Sequence, residues 1–255
     1  MGFADYLKLM RFNFHISFIT VILGALLYSQ IPDFHLLKSI ILCYVFFNIL
    51  LYGGIYTFNA INDLEDDSKD KIKKFRPLPA GKVSVKSAII FAIILILSGL
   101  FLSYFFLSRY IFFIFLIFLL LNIFYNIKAK KTVYLNLLVV SSTHTMRLFL
   151  GMTLAGAKPD ILFLAAFYIM IFGIAVTIHG IFNKKKNEER FYTKKLIFYI
   201  QSSCFIVALI MFSLSEKFVI PWIIALLFYF LLVTLSKIHS FRPYIARLFM
   251  IKLKA

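Results

Sequence analysis

Residues 58–81 read FNAINDLEDDSKDKIKKFRPLPAG, and they hold Asp63, Glu65, Asp66, Asp67 and Asp70 in a chain with only 11 acidic residues among 255. Read as helical, the stretch places Asn59, Asn62, Asp63, Asp66 and Asp70 on one face. Oxygen-bearing side chains crowded this way call for a positive charge between them. With no His or Cys close in sequence, the set suits a hard, partly hydrated cation such as Mg²⁺, which also binds phosphate. The basic run behind it, Lys69, Lys71, Lys73, Lys74 and Arg76, then faces the rest of a polyanion. The plain alternative is a solvated, salt-bridged loop between two apolar segments. The same-face asparagines and the stiff Arg76-Pro77-Leu78-Pro79 exit favour a site.

Outward from this stretch the chain is 62% hydrophobic, with a mean hydropathy of +0.92; soluble domains run at about 45–50%. Its apolar runs predict an all-α, polytopic membrane bundle of eight spans, at about 13–30, 37–57, 86–107, 109–126, 133–157, 160–182, 196–214 and 218–236. A ninth span fits only if it is unusually short. The tail from Ser240 reads instead as a short amphipathic helix on the inner leaflet. No cleavable leader is expected, and residues 1–255 read as a single integral-membrane domain. The net charge of +17 would fit nucleic acid in a soluble protein. Here its placement argues for no nucleic acid: the basic residues gather before the first span, after every even-numbered one and in the tail. The positive-inside rule then puts both termini and these loops on the cytoplasmic face of the cell (inner) membrane. Cys43 and Cys204, far apart in apolar runs, are expected to pack rather than bridge.

The string Asn62-Asp63-x-x-Asp66-x-x-x-Asp70 followed by Arg76-Pro77-Leu78-Pro79-Ala80-Gly81 resembles the first motif of the UbiA family of intramembrane prenyltransferases. The resemblance implies helices around a central cavity and Mg²⁺ held by Asn62, Asp63, Asp66 and Asp70. It makes Asp66, Asp70 and Arg76 catalytic, with Asn59 and Asp63 also at the substrate. The fourth loop, with Tyr125, Lys128, Lys130 and Asn136, is similar to a family element that contacts the diphosphate. Read without the family, a Tyr and lysines at a membrane edge are interfacial anchors. His144 and Arg147 lie three residues apart within the fifth span. Charge in lipid is costly, so they are substrate-binding candidates, with helix-bundle pairing as the alternative for Arg147. His179 reads as a packing histidine.

The sixth loop departs from the family. Where a second Asp-rich motif belongs, residues 182–190 read FNKKKNEER. Lys184 and Lys185 are candidate substrate contacts whose charge replaces a second metal. The string is also similar to the family branch that transfers phosphoribose from phosphoribosyl diphosphate to a polyprenyl phosphate, as is Arg147. The Asp70-to-Arg76 spacing and Pro79 suit the prenyl-transferring members. A basic loop held against anionic membrane lipid is a third reading. The leading expectation is transfer of a polyprenyl group from its diphosphate to a small acceptor, aromatic or a polar lipid precursor. Mg²⁺ and cationic side chains would neutralise the leaving group. Aromatic faces, drawn from 32 Phe and 14 Tyr, would line an allylic cation. Phosphoribosyl transfer and a non-catalytic transporter or lipid-binding protein are the alternatives.

Overall fold

A computed structural model describes residues 2–29, 33–183, 186–214 and 219–248, and among these the chain is helical without a strand. Twelve α-helices run in order: α1 Phe3–Leu9, α2 Ile19–Tyr28, α3 Phe34–Cys43, α4 Gly53–Asn62, α5 Leu64–Lys69, α6 Val85–Phe106, α7 Arg109–Ile127, α8 Leu135–Leu154, α9 Ile161–Ile178, α10 Lys194–Ser213, α11 Val219–Lys237 and α12 Arg242–Leu248. Several long helices begin where a polar side chain takes up an orphan backbone N–H. Ser84, Ser108, Asp160 and Thr193 each accept from the residue three places on, opening α6, α7, α9 and α10.

Among the described residues six helices are long and apolar enough to cross a membrane, and up to eight if each of two bent pairs is one span. In one such pair Phe14–Leu27, within the predicted first span, is preceded by Phe3–Leu9 at a bend of 49°. Arg11 lies at the bend in a left-handed conformation, φ 51°. The predicted eighth span pairs Trp222–Lys237 with His239–Ala246 at 106°. Here α12 folds back and buries Ile245 among α9–α11 residues such as Met170, Cys204 and Leu226, rather than continuing as a ninth span. The second span is longer than its apolar run suggests. α3, a π-helical segment Tyr44–Tyr52 and α4 form one stretch of 29 residues, Phe34–Asn62, carrying Asn59 and Asn62 at its end.

The chain forms two compact units, Met1–Lys128 with Met146–Lys158, and Ala129–Thr145 with Pro159–Ala255. In the first, Phe47, Leu51, Phe115 and Phe118 build a core around α3–α7, with Leu150 from the second half of α8. α2 and α8 cross without side chains between them. A Cβ on Gly151 would run into the Val21 carbonyl oxygen, and one on Gly24 into that of Leu148. Small residues permit such close crossings where lipid offers no hydrophobic drive. The second unit has a polar element in its core: the Gln201 side chain donates to Thr177 Oγ1, and Tyr229 donates to the Gln201 backbone carbonyl at 3.0 Å, tying α9, α10 and α11. Cys43 and Cys204 are free thiols buried in separate cores.

Candidate active site

The acid-rich stretch lies wholly in the first unit. α4 ends at Asn62, and Asp63 (φ −89°, ψ 0°) passes the chain into α5. Asp63 N–H still bonds the Asn59 carbonyl, and Asp67 N–H that of Asp63, so the helical path is kept across the junction. Asn59, Asn62, Asp63 and Asp66 therefore keep their common face. Asp70 does not. α5 stops at Lys69, and Asp70 is extended (ψ 133°). Its Oδ1 accepts from the Ile72 and Lys73 N–H groups, both at 2.9 Å, capping the next turn. The single five-residue helical face is thereby corrected to four residues plus a separate cap. The Lys73 and Ile72 N–H groups, aided by the charges of Lys73 and Arg76, hold the Asp70 carboxyl below the ordinary carboxylate range.

Asp67, given no role from the sequence, is the buried acid. Its side chain is 3% exposed and accepts from Arg76 Nη1 at 2.6 Å, with Lys73 Nζ at 3.7 Å. Arg76 thus closes the loop on itself while staying partly exposed. The RPLPAG exit is fixed from below. Leu78 and Val83 bury among Leu9, Ala60 and Ala88. Gly81 turns the chain at φ 68°, where other side chains are strained. Asn62 and Asp66 are exposed, and Asp63 is half-buried.

Three further groups converge on the stretch from within the same unit. Arg11, read from the sequence only as a basic residue preceding the first span, lies over the Tyr56 ring at 5.8 Å and within electrostatic reach of Asp63, Asp67 and Arg76. Among the described residues its Nη2 is buried without a hydrogen-bond partner. A strained backbone carrying a half-buried guanidinium with one buried, unpartnered nitrogen points to a function. From α7, half-buried Tyr125 lies within electrostatic reach of Asp63. Asn126 donates to Asn59 Oδ1, which leaves the Asn59 NH₂ as the group that side chain can offer a ligand. Lys128 follows, exposed.

Arg147 is 1% exposed. Its guanidinium lies over Tyr52 at 4.8 Å, Phe118 at 4.9 Å and Phe47 at 6.0 Å. The π-helical segment presents Phe47 and Tyr52, and Tyr56 donates on to the Tyr52 hydroxyl at 2.8 Å. Aromatic stacking thus helps pack this cation into the first unit.

The other candidates belong to the second unit. Lys130, Asn136 and His144 are half-buried there, with Asn136 Oδ1 accepting from Leu137 N–H. Lys184 and Lys185 lie outside the described residues. On either side of them in sequence, His179 and Glu188 meet, Nε2 to Oε2 at 3.0 Å, and the His179 ring packs on Tyr192. The sequence reading of His179 as a packing histidine did not include this contact.

Among the described residues no three His, Cys, Asp or Glu side chains close into a metal cage. Instead, carboxylate and carboxamide oxygens stand open at a helix junction. Such a donor set fits a hydrated hard cation completed by a phosphate ligand.

The UbiA prenyltransferase family model matches residues 17–251. The chain is 35% identical over 168 residues to digeranylgeranylglyceryl phosphate synthase of Methanococcus aeolicus, covering 64% of this chain and 57% of that protein. The enzyme of the same name from Saccharolobus solfataricus is 34% identical over 154 residues, 59% of this chain and 52% of the relative. The matched part thus spans just over half the length of these relatives. Among solved structures, a UbiA homologue of Archaeoglobus fulgidus bound to GPP and Mg²⁺ superimposes with a TM-score of 0.74 at 14% identity, over 91% of this chain and 87% of that one. A structure described as digeranylgeranylglyceryl phosphate synthase gives 0.68 at 20% identity, covering 97% and 92%. Motif, helical membrane architecture and family match agree, and the chain belongs to the UbiA prenyltransferase family.

Proposed function

We propose that this protein transfers a polyprenyl group from its diphosphate to a hydroxyl of a glycerol phosphate lipid precursor, using Mg²⁺ at the acid-rich junction. The observation that carries the reading is the pairing of two opposite features in one unit. Asn62 and Asp66 leave oxygens open to a cation, and Arg11 holds a buried, unsatisfied N–H group within electrostatic reach of Asp63. A metal diphosphate presents both complements, a cation for the acids and phosphate oxygens for the guanidinium.

Asn62, Asp63 and Asp66 would hold Mg²⁺, which supplies charge neutralisation of the departing diphosphate. Arg11, the Asn59 NH₂ and Lys128 donate to phosphate oxygens. Asp67, by occupying Arg76 and drawing in Lys73, holds the loop so that these groups are in place before substrate arrives. Asp70 serves the same end by capping the following turn. In the reaction the bond between prenyl C1 and the diphosphate oxygen breaks, and the acceptor oxygen bonds to C1. The hydroxyl proton leaves with the diphosphate or water.

The acceptor class is taken from the relatives' name, and the donor class from the family and from the GPP-bound neighbour. The basic loops support a cytoplasmic site in the cell membrane. The Asp70-to-Arg76 spacing and Pro79 favour prenyl transfer over phosphoribosyl transfer.

The test is turnover in nanodiscs with geranylgeranyl diphosphate and geranylgeranylglyceryl phosphate, alongside phosphoribosyl diphosphate with a polyprenyl phosphate. Label is expected to move from the prenyl donor, to require Mg²⁺, and to fall by about a thousandfold in Asp66→Ala. Turnover that survives this substitution, or label moving from phosphoribosyl diphosphate alone, overturns the reading.

A further inference from the structure

Three asparagines link the inner end of α7 to the acid-rich junction. Asn122 is buried and donates to the Phe118 carbonyl at 2.8 Å, within its own helix. One turn on, the Asn126 NH₂ donates both to the Asn122 carbonyl, at 2.8 Å, and across to Asn59 Oδ1 on α4. This double donation fixes the orientation of the Asn126 amide. Flipping it would set its oxygen against the Asn122 carbonyl oxygen, which can only accept. The Asn126 oxygen is therefore committed to the other side, where it is buried and, among the described residues, has no hydrogen-bond partner. A buried carbonyl oxygen without a donor is uncommon in a folded protein. It lies beside Asn59 and next in sequence to Tyr125, itself within electrostatic reach of Asp63.

We propose that Asn126 is a positioning residue for the metal diphosphate. Its NH₂ sets the rotation of Asn59, and its Oδ1 accepts from a water on the bound cation. The inference rests on the Mg²⁺-dependent reading above. Mg²⁺ keeps several of its waters, and a metal-bound water is a strong donor that lacks an acceptor wherever the acids do not reach. A carbonyl oxygen held rigidly by two bonds through its own amide nitrogen suits that task. Partners of this kind orient the ligands and tune affinity for the ion. Asn126 then differs from the acids in acting through Asn59 and the hydration of the ion, with no contact to the reacting carbon.

The test uses the full chain in nanodiscs and two readouts: calorimetric Mg²⁺ binding in the presence of inorganic diphosphate, and turnover resolved into kcat and KM. Asn126→Leu, which keeps the volume and removes both polar groups, is expected to weaken Mg²⁺ binding by about tenfold. Asn126→Asp keeps an acceptor for the water, and the Asn59 amide can turn to donate to it, but its second oxygen faces the Asn122 carbonyl; it is expected to lower thermal stability while its Mg²⁺ binding stays near wild type. Both variants are checked by thermal unfolding. Wild-type Mg²⁺ affinity in N126L overturns the proposal. So does an equal loss in N126L and N126D that follows their thermal stability, because that pattern marks a merely structural amide. If wild-type protein itself binds no Mg²⁺ with diphosphate, the Mg²⁺-dependent reading fails first, and this result is distinct from the other two.

Discussion

The loop after α4 and the loop after α9 solve the same problem with opposite charges. Each begins where an apolar helix ends, and each contains an acid paired with a basic side chain across its turn. In the first unit the buried Asp67 takes Arg76 at 2.6 Å. In the second, His179 takes Glu188 at 3.0 Å. The difference lies in what is left over. Around the Asp67 pair, Asn62 and Asp66 remain exposed as oxygen donors, whereas the described part of the second loop leaves Glu189 and Arg190 exposed. The first loop commits Asp67 to its cations, Glu65 to Lys69 and Asp70 to a backbone turn, and leaves Asp66 exposed beside Asn62. A cation site is a matter of which acids are not already paired, and a count of acids does not reveal it.

The two units also hold their helices together differently, and this gives the sharpest test of the contrast. The α2–α8 crossing has backbone against backbone at Gly24 and Gly151, whereas α9, α10 and α11 share the Gln201 network. Gly151→Leu should cost about 3 kcal/mol or prevent folding, since the obstruction is a carbonyl on a rigid helix. Gln201→Leu should cost only about 1 kcal/mol, because intramembrane hydrogen bonds are individually modest. Thermal unfolding of both variants in one detergent compares them. Equal losses would mean that the units do not differ in the way their packing indicates.

The two pinning pairs should rank next. Asp67→Asn removes the buried charge that Arg76 and Lys73 share. A fully buried pair would lose more, but Arg76 is 39% exposed, so about 2 kcal/mol is expected. Glu188→Gln keeps an acceptor for the half-buried His179, and about 1 kcal/mol or less is expected. The same unfolding measurement decides. A larger loss in the Glu188 variant would make the second loop the more tightly pinned of the two.

Much of this was legible in the sequence because the causes are local. Ser84, Ser108, Asp160 and Thr193 precede long apolar runs, and each caps a helix. The face shared by Asn59, Asn62, Asp63 and Asp66 follows from helical spacing. What was not legible depends on contacts between distant residues. Asp67 looked like its neighbours until Arg76 folded back nine residues to meet it. Arg11 reads as an ordinary positive-inside anchor, and only its left-handed backbone and its position over Tyr56 set it apart. Asn126 was hidden inside a Tyr-Lys element whose named members drew the attention. The turn after Lys237 accords with the separate tail helix expected from Ser240, whereas the 49° bend near Arg11 has no hydropathy signal. Hydropathy measures how apolar a run is and says nothing about where its axis turns.

Asp70 carries the smallest predicted effect and separates a capping role from a ligand role within the acid-rich loop. Its carboxylate accepts the Ile72 and Lys73 N–H bonds, which hold its pKa below the ordinary value. A depressed carboxyl pKa stabilises the folded turn above the unfolded pKa, and the stabilisation is lost as pH falls through the folded value. Hydrogen-exchange protection of the Ile72 and Lys73 amides should therefore persist through the ordinary carboxylate range near pH ~4 and fall only below it. In Asp70→Asn an oxygen still accepts but carries no charge, so protection should be weaker and independent of pH. If wild-type protection instead rises with added Mg²⁺ and diphosphate and is absent without them, the turn is organised by the ligand and Asp70 regains its place among the metal's oxygens. If protection is unchanged by the ligand, the carboxylate shapes the loop from within, and the exposed Asn62 and Asp66 are left to meet the cation.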